Sequence, residues 1–509
     1  MKLISLFAPL ETHPELWHMI RQEDRLDELV DVLDNATHLP QGTAAHLLIE
    51  PKGIRLPTDW QSFQPPYILP EYLPLKPQVL LGMVFFLLGN NEKAWFYLEN
   101  HPSLLRELDI IHRLREGIPV NPDELASEYS EFEEYRLMHN QATVRHYGAD
   151  EQGFEEEKVR YFYHEAMICA PDDAWKAFSA KQYASFLTDI HHLEHAEDLL
   201  IGALHFAPDD AVKIELKNAL CGVWMRKLVV PYDPVLLAQL KDTLWEVLKA
   251  FETQQREAET GLLLLDATHV ATVSESFAEA LGYVNRAIDL FREQEMPELL
   301  GNAWYRKGGV FYAWAKKGNP QFLRPSMEAY QHALKTFTRD NAPEVFAEIQ
   351  HHLGVIYAEI PDEVRKKSVW AAVSSASFQE ALSIFTKTEY PYEYAMVCNS
   401  FGNALTKYPD AIHSDNYAKA LAYYQEALEI RRPERFPFER ALTLLNHIEA
   451  CWYAQNDPAT FNEGRYLDMV ARALEVKDLV KDPGLVAEAD QHLERLDALK
   501  KAYAGELNA

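Results

Sequence analysis

Five prolines, Pro297, Pro343, Pro391, Pro437 and Pro483, stand 46, 48, 46 and 46 residues apart. Ten positions before each is an alanine: Ala287, Ala333, Ala381, Ala427 and Ala473. An aliphatic residue follows each alanine (Ile288, Leu334, Leu382, Leu428, Leu474), and four positions after each proline comes a small residue: Gly301, Ala347, Ala395, Ala441 or Ala487. A fixed period of this length marks a repeat array, in which each unit buries its apolar face only by stacking on a neighbour. Such a chain grows by adding units rather than by closing a new core, which points its function toward recognition and away from catalysis.

Each unit reads as two helices. Proline suits a helix start, where the first amides have no internal partner. Behind Pro343 and Pro391, apolar and small residues recur at helical spacing up to Gly354 and Gly402, eleven positions on. Gly308 holds the same place one unit earlier, and Ile448 replaces it one unit later. Glycine inside a helix costs about 1 kcal/mol against alanine, so its recurrence implies a crossing too close for a larger side chain. The partner segments 283–291, 329–337, 378–385 and 423–430 bring the alanines and aromatics to one face, predicting an antiparallel hairpin.

These residues resemble the tetratricopeptide repeat family, whose unit is about 34 residues. Leu81-Gly82, Phe85, Gly89, Ala94 and Leu98 match its short pattern best. Two further matches end in Tyr163, Ala166, Pro171 and in Ala196, Leu200, Ala203, Pro208. The last two share an echo, Ala170-Pro171-Asp172-Asp173-Ala174 and Ala207-Pro208-Asp209-Asp210-Ala211, and aspartate there is a good helix start. The 46–48 residue spacing is similar to the long-spaced arrays beside caspase-like peptidases in bacterial proteins, with extra residues at 316–325 and 359–375. The resemblance implies an all-α, right-handed superhelical solenoid of antiparallel helix hairpins. It also implies a protein-binding scaffold, adaptor or regulator, with a caspase-like peptidase or its complex as the narrower partner and bacterial antiviral defence as the narrower setting.

The organisation expected is a capping region at 1–75, degenerate repeats at 76–250, the regular array at 251–500 and a tail at 501–509. Residues 12–35 read as helix. Residues 51–77 hold seven prolines interleaved with Trp60, Phe63, Tyr67 and Tyr72; no regular helix persists there, and the aromatics are expected to pin the segment across the end of the array. The acidic run at 123–134 reads as a solvated helix face. Helices are expected to continue through 211–276, at 236–251 and 257–265.

The formal charge of −29 argues against nucleic acid or an anionic membrane surface as the main partner. Four scattered cysteines, Cys169, Cys221, Cys398 and Cys451, fit a reduced cytoplasmic protein. The longest apolar run, at 79–88, is half a bilayer span. The start of the chain has one positive charge, soon meets Glu11 and lacks a small-x-small cleavage site, so secretion is not expected.

No phosphate loop, dinucleotide fingerprint or nucleophile elbow is present, so neither cofactor nor catalytic residues are assigned. His191 and His195, four apart with Asp198 in reach, offer the one alternative, a metal-dependent enzyme. A turn is the simpler reading, since His192 stands where the zinc-peptidase pattern needs glutamate. No metal ligands are assigned.

In the family resembled, the first helix of each hairpin lines the ligand groove. With the recurrent glycine as landmark, the partner-binding residues expected are Asn302, Tyr305, Tyr312, Glu348, His351, Asn399, Asn403 and Glu449. Tyr305 and Tyr312 are expected as exposed anchors. His351 is placed toward the open face and His352 toward the hairpin packing. The carboxylate-clamp subgroup needs basic residues that these positions lack. A second binding reading, a sensor of a small ligand or peptide, shares the fold and is distinguished by a compact pocket.

Overall fold

The computed structural model describes residues 3–34, 45–58, 60, 65–125, 130–148, 154–229, 232–409, 415–454 and 462–506. It divides within one helix into two compact units, 1–250 and 251–509.

The first unit opens with a sheet that the repeat pattern does not foretell. Strands β1 (Ile4–Ala8), β2 (Val30–Asp34), β3 (Ala45–Glu50) and β4 (Gly53–Arg55) lie in the order β2-β1-β3-β4. β1 is parallel to both neighbours, pairing Leu6 with Val32 and with Leu47, and β3 turns back antiparallel into β4. Every residue of β1 is buried, as expected of a central parallel strand. Of residues 12–35, expected to be helical, only α1 (His13–Ile20) forms a full helix. Val30-Asp31-Val32 alternates with period two, burying both valines, and becomes β2 instead. Gly53 closes the β3–β4 turn at a φ of +141°, and a Cβ there would lie 2.2 Å from the Leu73 carbonyl oxygen, which only glycine tolerates.

The proline-rich segment is tied down by side chains of the helices that follow it. Asn140 of α5 (Glu131–Tyr147) accepts from the Ile68 amide and donates to its carbonyl, both at 2.8 Å. His139 bonds the Pro66 carbonyl at 2.9 Å, and the Tyr67 hydroxyl donates to Glu107 at 2.5 Å. Trp60 meets Phe178 edge-on, with ring centroids 5.3 Å apart, and Lys181 donates to the Trp60 carbonyl. Phe63 lies outside the described residues. Where the chain has no helix or sheet to satisfy its own backbone, these side chains do so.

Helical hairpins follow. α2 (Pro77–Leu87) and α3 (Asn91–Leu98) cross where Gly82 faces the Leu98 side chain. After α4 (Pro102–Arg115), α5 pairs with α6 (Glu156–Cys169), and α7 (Asp173–Asp189) with α8 (Leu193–Phe206). α9 (Asp210–Lys227) packs on α8, and α10 (Pro234–Thr253) carries the division between units. The repeated Pro-Asp-Asp works as the chemistry requires: Asp172 caps α7 through the Trp175 amide at 2.9 Å, and Asp209 caps α9 through Val212 at 2.8 Å. The acidic run is not simply solvated. Residues 126–129 lie outside the description, but Glu124 pairs with Arg113, and Glu133 and Glu107 enclose the buried Arg136 guanidinium at 2.6 and 3.0 Å.

Among the described residues, the second unit consists of five hairpins and a last helix. They are α11 (Glu257–Val273) with α12 (Phe277–Glu293), α13 (Pro297–Lys316) with α14 (Leu323–Ala333), α15 (Pro343–Glu359) with α16 (Val364–Ile384), α17 (Pro391–Leu405) with α18 (Asn416–Ile430), and α19 (Pro437–Tyr453) with α20 (Glu463–Leu479), before α21 (Pro483–Glu506). All five grid prolines open a helix, and all five grid alanines are fully buried on the second helices. The recurrent glycine makes room for an aromatic ring: a Cβ at Gly308, Gly354 or Gly402 would lie 2.8, 3.0 or 2.4 Å from Tyr330, Phe378 or Tyr424. Where Ile448 replaces glycine, the position of the rings, thirteen residues before the next grid proline, is held by the smaller Val470, which packs against the same cluster. The grid fails at its last mark. Ala487 of α21 is exposed while Ala489 is buried. The insertion at 359–375 is not a loop beyond its first residues, because α16 starts at Val364 and is 21 residues long.

Candidate functional site: the first-helix face of the second unit

The first helices α13, α15, α17 and α19, with α21, are joined by polar contacts that keep the sequence period. The Tyr305 hydroxyl donates to Glu348 at 2.6 Å, Tyr390 to Glu344 at 2.6 Å, and Asn446 to Asn399 at 3.2 Å. Arg495 approaches Glu449 at 3.5 Å. Glu359 accepts from Lys316 at 3.2 Å and from Lys407 at 2.6 Å, linking three successive first helices. Burial opposes a charge on Glu359, but the two lysines outweigh it and hold the carboxyl below its usual range. The expected residues Tyr305, Glu348, Asn399 and Glu449 therefore lie on these contacts, whereas the Asn403 side-chain Oδ1 accepts from the Tyr424 hydroxyl at 2.7 Å, inside its own hairpin. Asn302 is half-buried on α13.

Two placements need correction. Tyr305 and Tyr312 are not exposed anchors. Both pack against the cluster of α13–α16, and burial together with Glu348 or Glu359 pushes their phenols well above the ordinary range. His351 does not face outward: it is 6% exposed, and neither ring nitrogen has a hydrogen-bond partner among the described residues. It lies 6.1 Å from the Phe378 ring, and burial pushes its pKa down to about 3. The half-exposed neighbour is His352, stacked on Tyr330 at 5.1 Å. Each helical residue turns about 100°, so an error of one position exchanges the open face for the interior.

The face also carries apolar side chains that the expected set omits. Tyr392 is 43% exposed, Phe438 49% and Leu442 37%, on the first turn of α17 and the first two turns of α19. Tyr392 and Phe438 each stand one residue after a grid proline, a regularity visible in the sequence. Phe436 lies 5.6 Å from Tyr392, ring to ring. Glu393 and Glu439 are next in sequence and Glu344 is nearby through Tyr390, while Arg435 sits over Phe436. At the other end of the unit, burial raises Asp266 of α11 to about 6 against the pull of Arg306, and burial and Arg306 both lower His269.

The chemistry weighed as alternatives is not assembled. His191 falls in the turn between α7 and α8 with a φ of +60°, so it shares no helix face with His195. Arg160 donates to His192 at 3.0 Å, and Asp189 is taken by His146 at 3.1 Å. Among the described residues no three His, Cys, Asp or Glu side chains are grouped to hold a metal ion. His139 and Ser179 meet at 2.8 Å but are wholly buried. Cys451 and His447 meet at 3.5 Å, where burial raises the thiol to about 11 and lowers the imidazole to about 4; both stay neutral, the opposite of an activated pair. None of the four cysteines is in a disulfide. No helix among the described residues is long and apolar enough to cross a membrane.

No family model matches the chain, and no curated protein matches it. Among solved structures it is similar to a human IFIT1 dimer with m7Gppp-AAAA, at 14% identity over 83% of this chain and 81% of that one, with a TM-score of 0.43. A STAND protein with a tetratricopeptide repeat sensor from Pyrococcus horikoshii is 12% identical over 98% and 77%, with a TM-score of 0.42. Yeast Tom70 is 12% identical over 84% and 83%, with a TM-score of 0.37. At such identities and scores nothing about ligand or partner passes to this chain. Its own hairpins, with buried alanines and ring-filled glycines, define a tetratricopeptide-like helical solenoid preceded by a small sheet.

Proposed function

We propose that the protein is a non-enzymatic scaffold or adaptor that docks a protein partner on the first-helix face of its second unit. The observation that carries this reading is the exposure of Tyr392, Phe438 and Leu442 together on α17 and α19. Exposed aromatics on adjoining helices are what a partner's apolar side chains would cover. The glutamates beside them favour a partner with lysine or arginine flanking that apolar patch. The buried and hydrogen-bonded members of the expected set, His351, Tyr305 and Asn403, hold the face in shape rather than meet the partner.

The narrower reading, a caspase-like peptidase or its complex as partner in a bacterial defence system, rests on the resemblance of the long repeat spacing alone. Cytoplasmic location and the absence of direct nucleic-acid binding belong to the same proposal, on cysteine usage and net charge. The test is a tagged-protein pull-down from native extract at moderate salt, with mass spectrometry of what is retained. A stoichiometric protein lost when Tyr392, Phe438 and Leu442 are changed together to serine is the expected result. Retention of the same protein by that variant would overturn the assignment of the face, and a retained peptidase would establish the narrower reading.

A further inference from the structure

A cleft of about 360 Å3 opens where the C-terminal ends of α15 and α17 meet the first turns of α16. It exists because this hairpin's second helix is longer than its counterparts α14 and α18, so its start projects past the turn. Tyr357, Trp370 and Tyr408 supply its rings, and Lys367, Lys407 and Glu359 its charges. Each ring has already committed its polar atom. Gln331 donates to the Tyr357 hydroxyl at 3.0 Å, the Trp370 indole donates to Asp362 at 3.1 Å, and the Tyr408 hydroxyl donates to Ser374 at 2.7 Å. What these rings leave for an occupant is apolar surface.

The charges around the cleft are lopsided in the direction opposite to the chain. Glu359 is already neutralised twice, by Lys407 and Lys316. Asp362 is likewise shared between Arg324 at 2.8 Å and Lys366 at 3.5 Å. Lys367 is exposed at the rim and makes no ion pair with a described residue, and Arg365 and Glu363 stand beside it. Lysine and arginine thus outnumber acids here, in a protein whose net charge is −29. Pockets that take small ligands start at about 300 Å3 and combine apolar walls with a few placed polar groups. This one is at the small end of that range.

We infer that the cleft binds a small aromatic acid, its ring against Trp370, Tyr357 and Tyr408 and its anionic group between Lys367 and Lys407. The anion completes the charge balance that Lys367 and the doubly held Glu359 leave open. The same chemistry is offered by a free aromatic carboxylate or by a peptide ending in an aromatic residue. This site gives the ligand-sensing reading of the fold a location, and it does not depend on docking at Tyr392 and Phe438.

The experiment uses the full chain and two fluorescent probes, the anionic 8-anilinonaphthalene-1-sulfonate and the neutral N-phenyl-1-naphthylamine. Saturable binding of the anionic probe is expected, weakened about tenfold or more by Lys367→Glu, which places a negative charge where the anionic group must sit. Ala371→Phe, which fills the cleft from α16, should abolish it. Because Lys367 is exposed and makes no ion pair among the described residues, its variant keeps the test decisive even where Ala371→Phe fails to fold. Indole-3-acetate and the peptide Gly-Gly-Trp as free acid are then competed against the bound probe, with the peptide amide as control. Displacement by the free acids and not by the amide supports the site, and the stronger competitor identifies the source. Absence of saturable binding, binding indifferent to Lys367→Glu, or displacement by neither acid would overturn it.

Discussion

Gly308 and Gly309 are neighbours on α13, yet they answer to different physics. A Cβ on Gly308 would stand 2.8 Å from the ring of Tyr330, itself only 2% exposed, whereas on Gly309 its nearest contact is the Tyr330 hydroxyl at 3.7 Å. Gly308→Ala should therefore destabilise the second unit by about 1–3 kcal/mol through overpacking, less the helix propensity it gains. Gly309→Ala should stabilise it by up to about 1 kcal/mol, since only the propensity term remains. Thermal midpoints of the two variants settle the signs, and a common sign would refute the ring-in-glycine account of the hairpin. His351 gives a second prediction at this scale. Its folded pKa of about 3 lies below the ordinary 6.5, so between those values the unfolded chain binds the extra proton and stability falls as pH falls. His351→Leu removes both that linkage and two nitrogens that have no hydrogen-bond partner among the described residues. Its advantage over the parent chain should grow by about 2 kcal/mol from pH 8 to pH 5, measured by urea denaturation at each pH. A constant difference would mean that the imidazole reaches water.

At the scale of elements, the two Pro-Asp-Asp echoes make an internal control. Only the first aspartate of each accepts from a helix amide, at Trp175 and at Val212, whereas Asp210 meets the exposed Lys213 ammonium at 3.0 Å. Asp172→Ala and Asp209→Ala should each cost about 1 kcal/mol, and Asp173→Ala and Asp210→Ala only a few tenths. Equal costs in chemical denaturation would show that the helix dipole, not the cap, is what these residues serve. The helices were legible because their signals recur: proline at the first position, alanine at the tightest crossing, and glycine opposite a ring, repeated every 46–48 residues. The sheet was not, because its strands are three to six residues long and occur once. Val30 and Val32 would lie about 200° apart on a helix, so their common burial marks a strand, but a single alternation in so short a run is too little sequence to set a period. The start of α16 was hidden for a different reason. Its exposed Arg365-Lys366-Lys367 reads as loop, and Trp370, which anchors it to Asp362 and Tyr357, is a single residue outside the repeat. Face assignment carried the largest error, since Tyr392 and Phe438 share a grid position nearly three turns from the glycine landmark, beyond the one turn counted from it.

For the molecule as a whole, the dominant quantity is an excess of acids, 78 against 49 lysines and arginines. Like charges at that density repel one another in the folded state, while most of the ion pairs are exposed and contribute about 0–1 kcal/mol each. Raising monovalent salt from about 0.1 M to about 1 M shortens the screening length from about 10 Å to about 3 Å. Both attraction and repulsion weaken, but the unbalanced acids have no partner to lose, so the melting midpoint should rise. A partner drawn to the glutamates beside Tyr392 and Phe438 experiences the same screening with the opposite sign: its association should slow while its dissociation, governed by the buried aromatics, changes little. One titration, followed by melting and by binding kinetics, thus separates the two roles of charge. An association rate indifferent to salt would leave the apolar patch as the sole basis of docking, and the partner's basic flank would have to be given up.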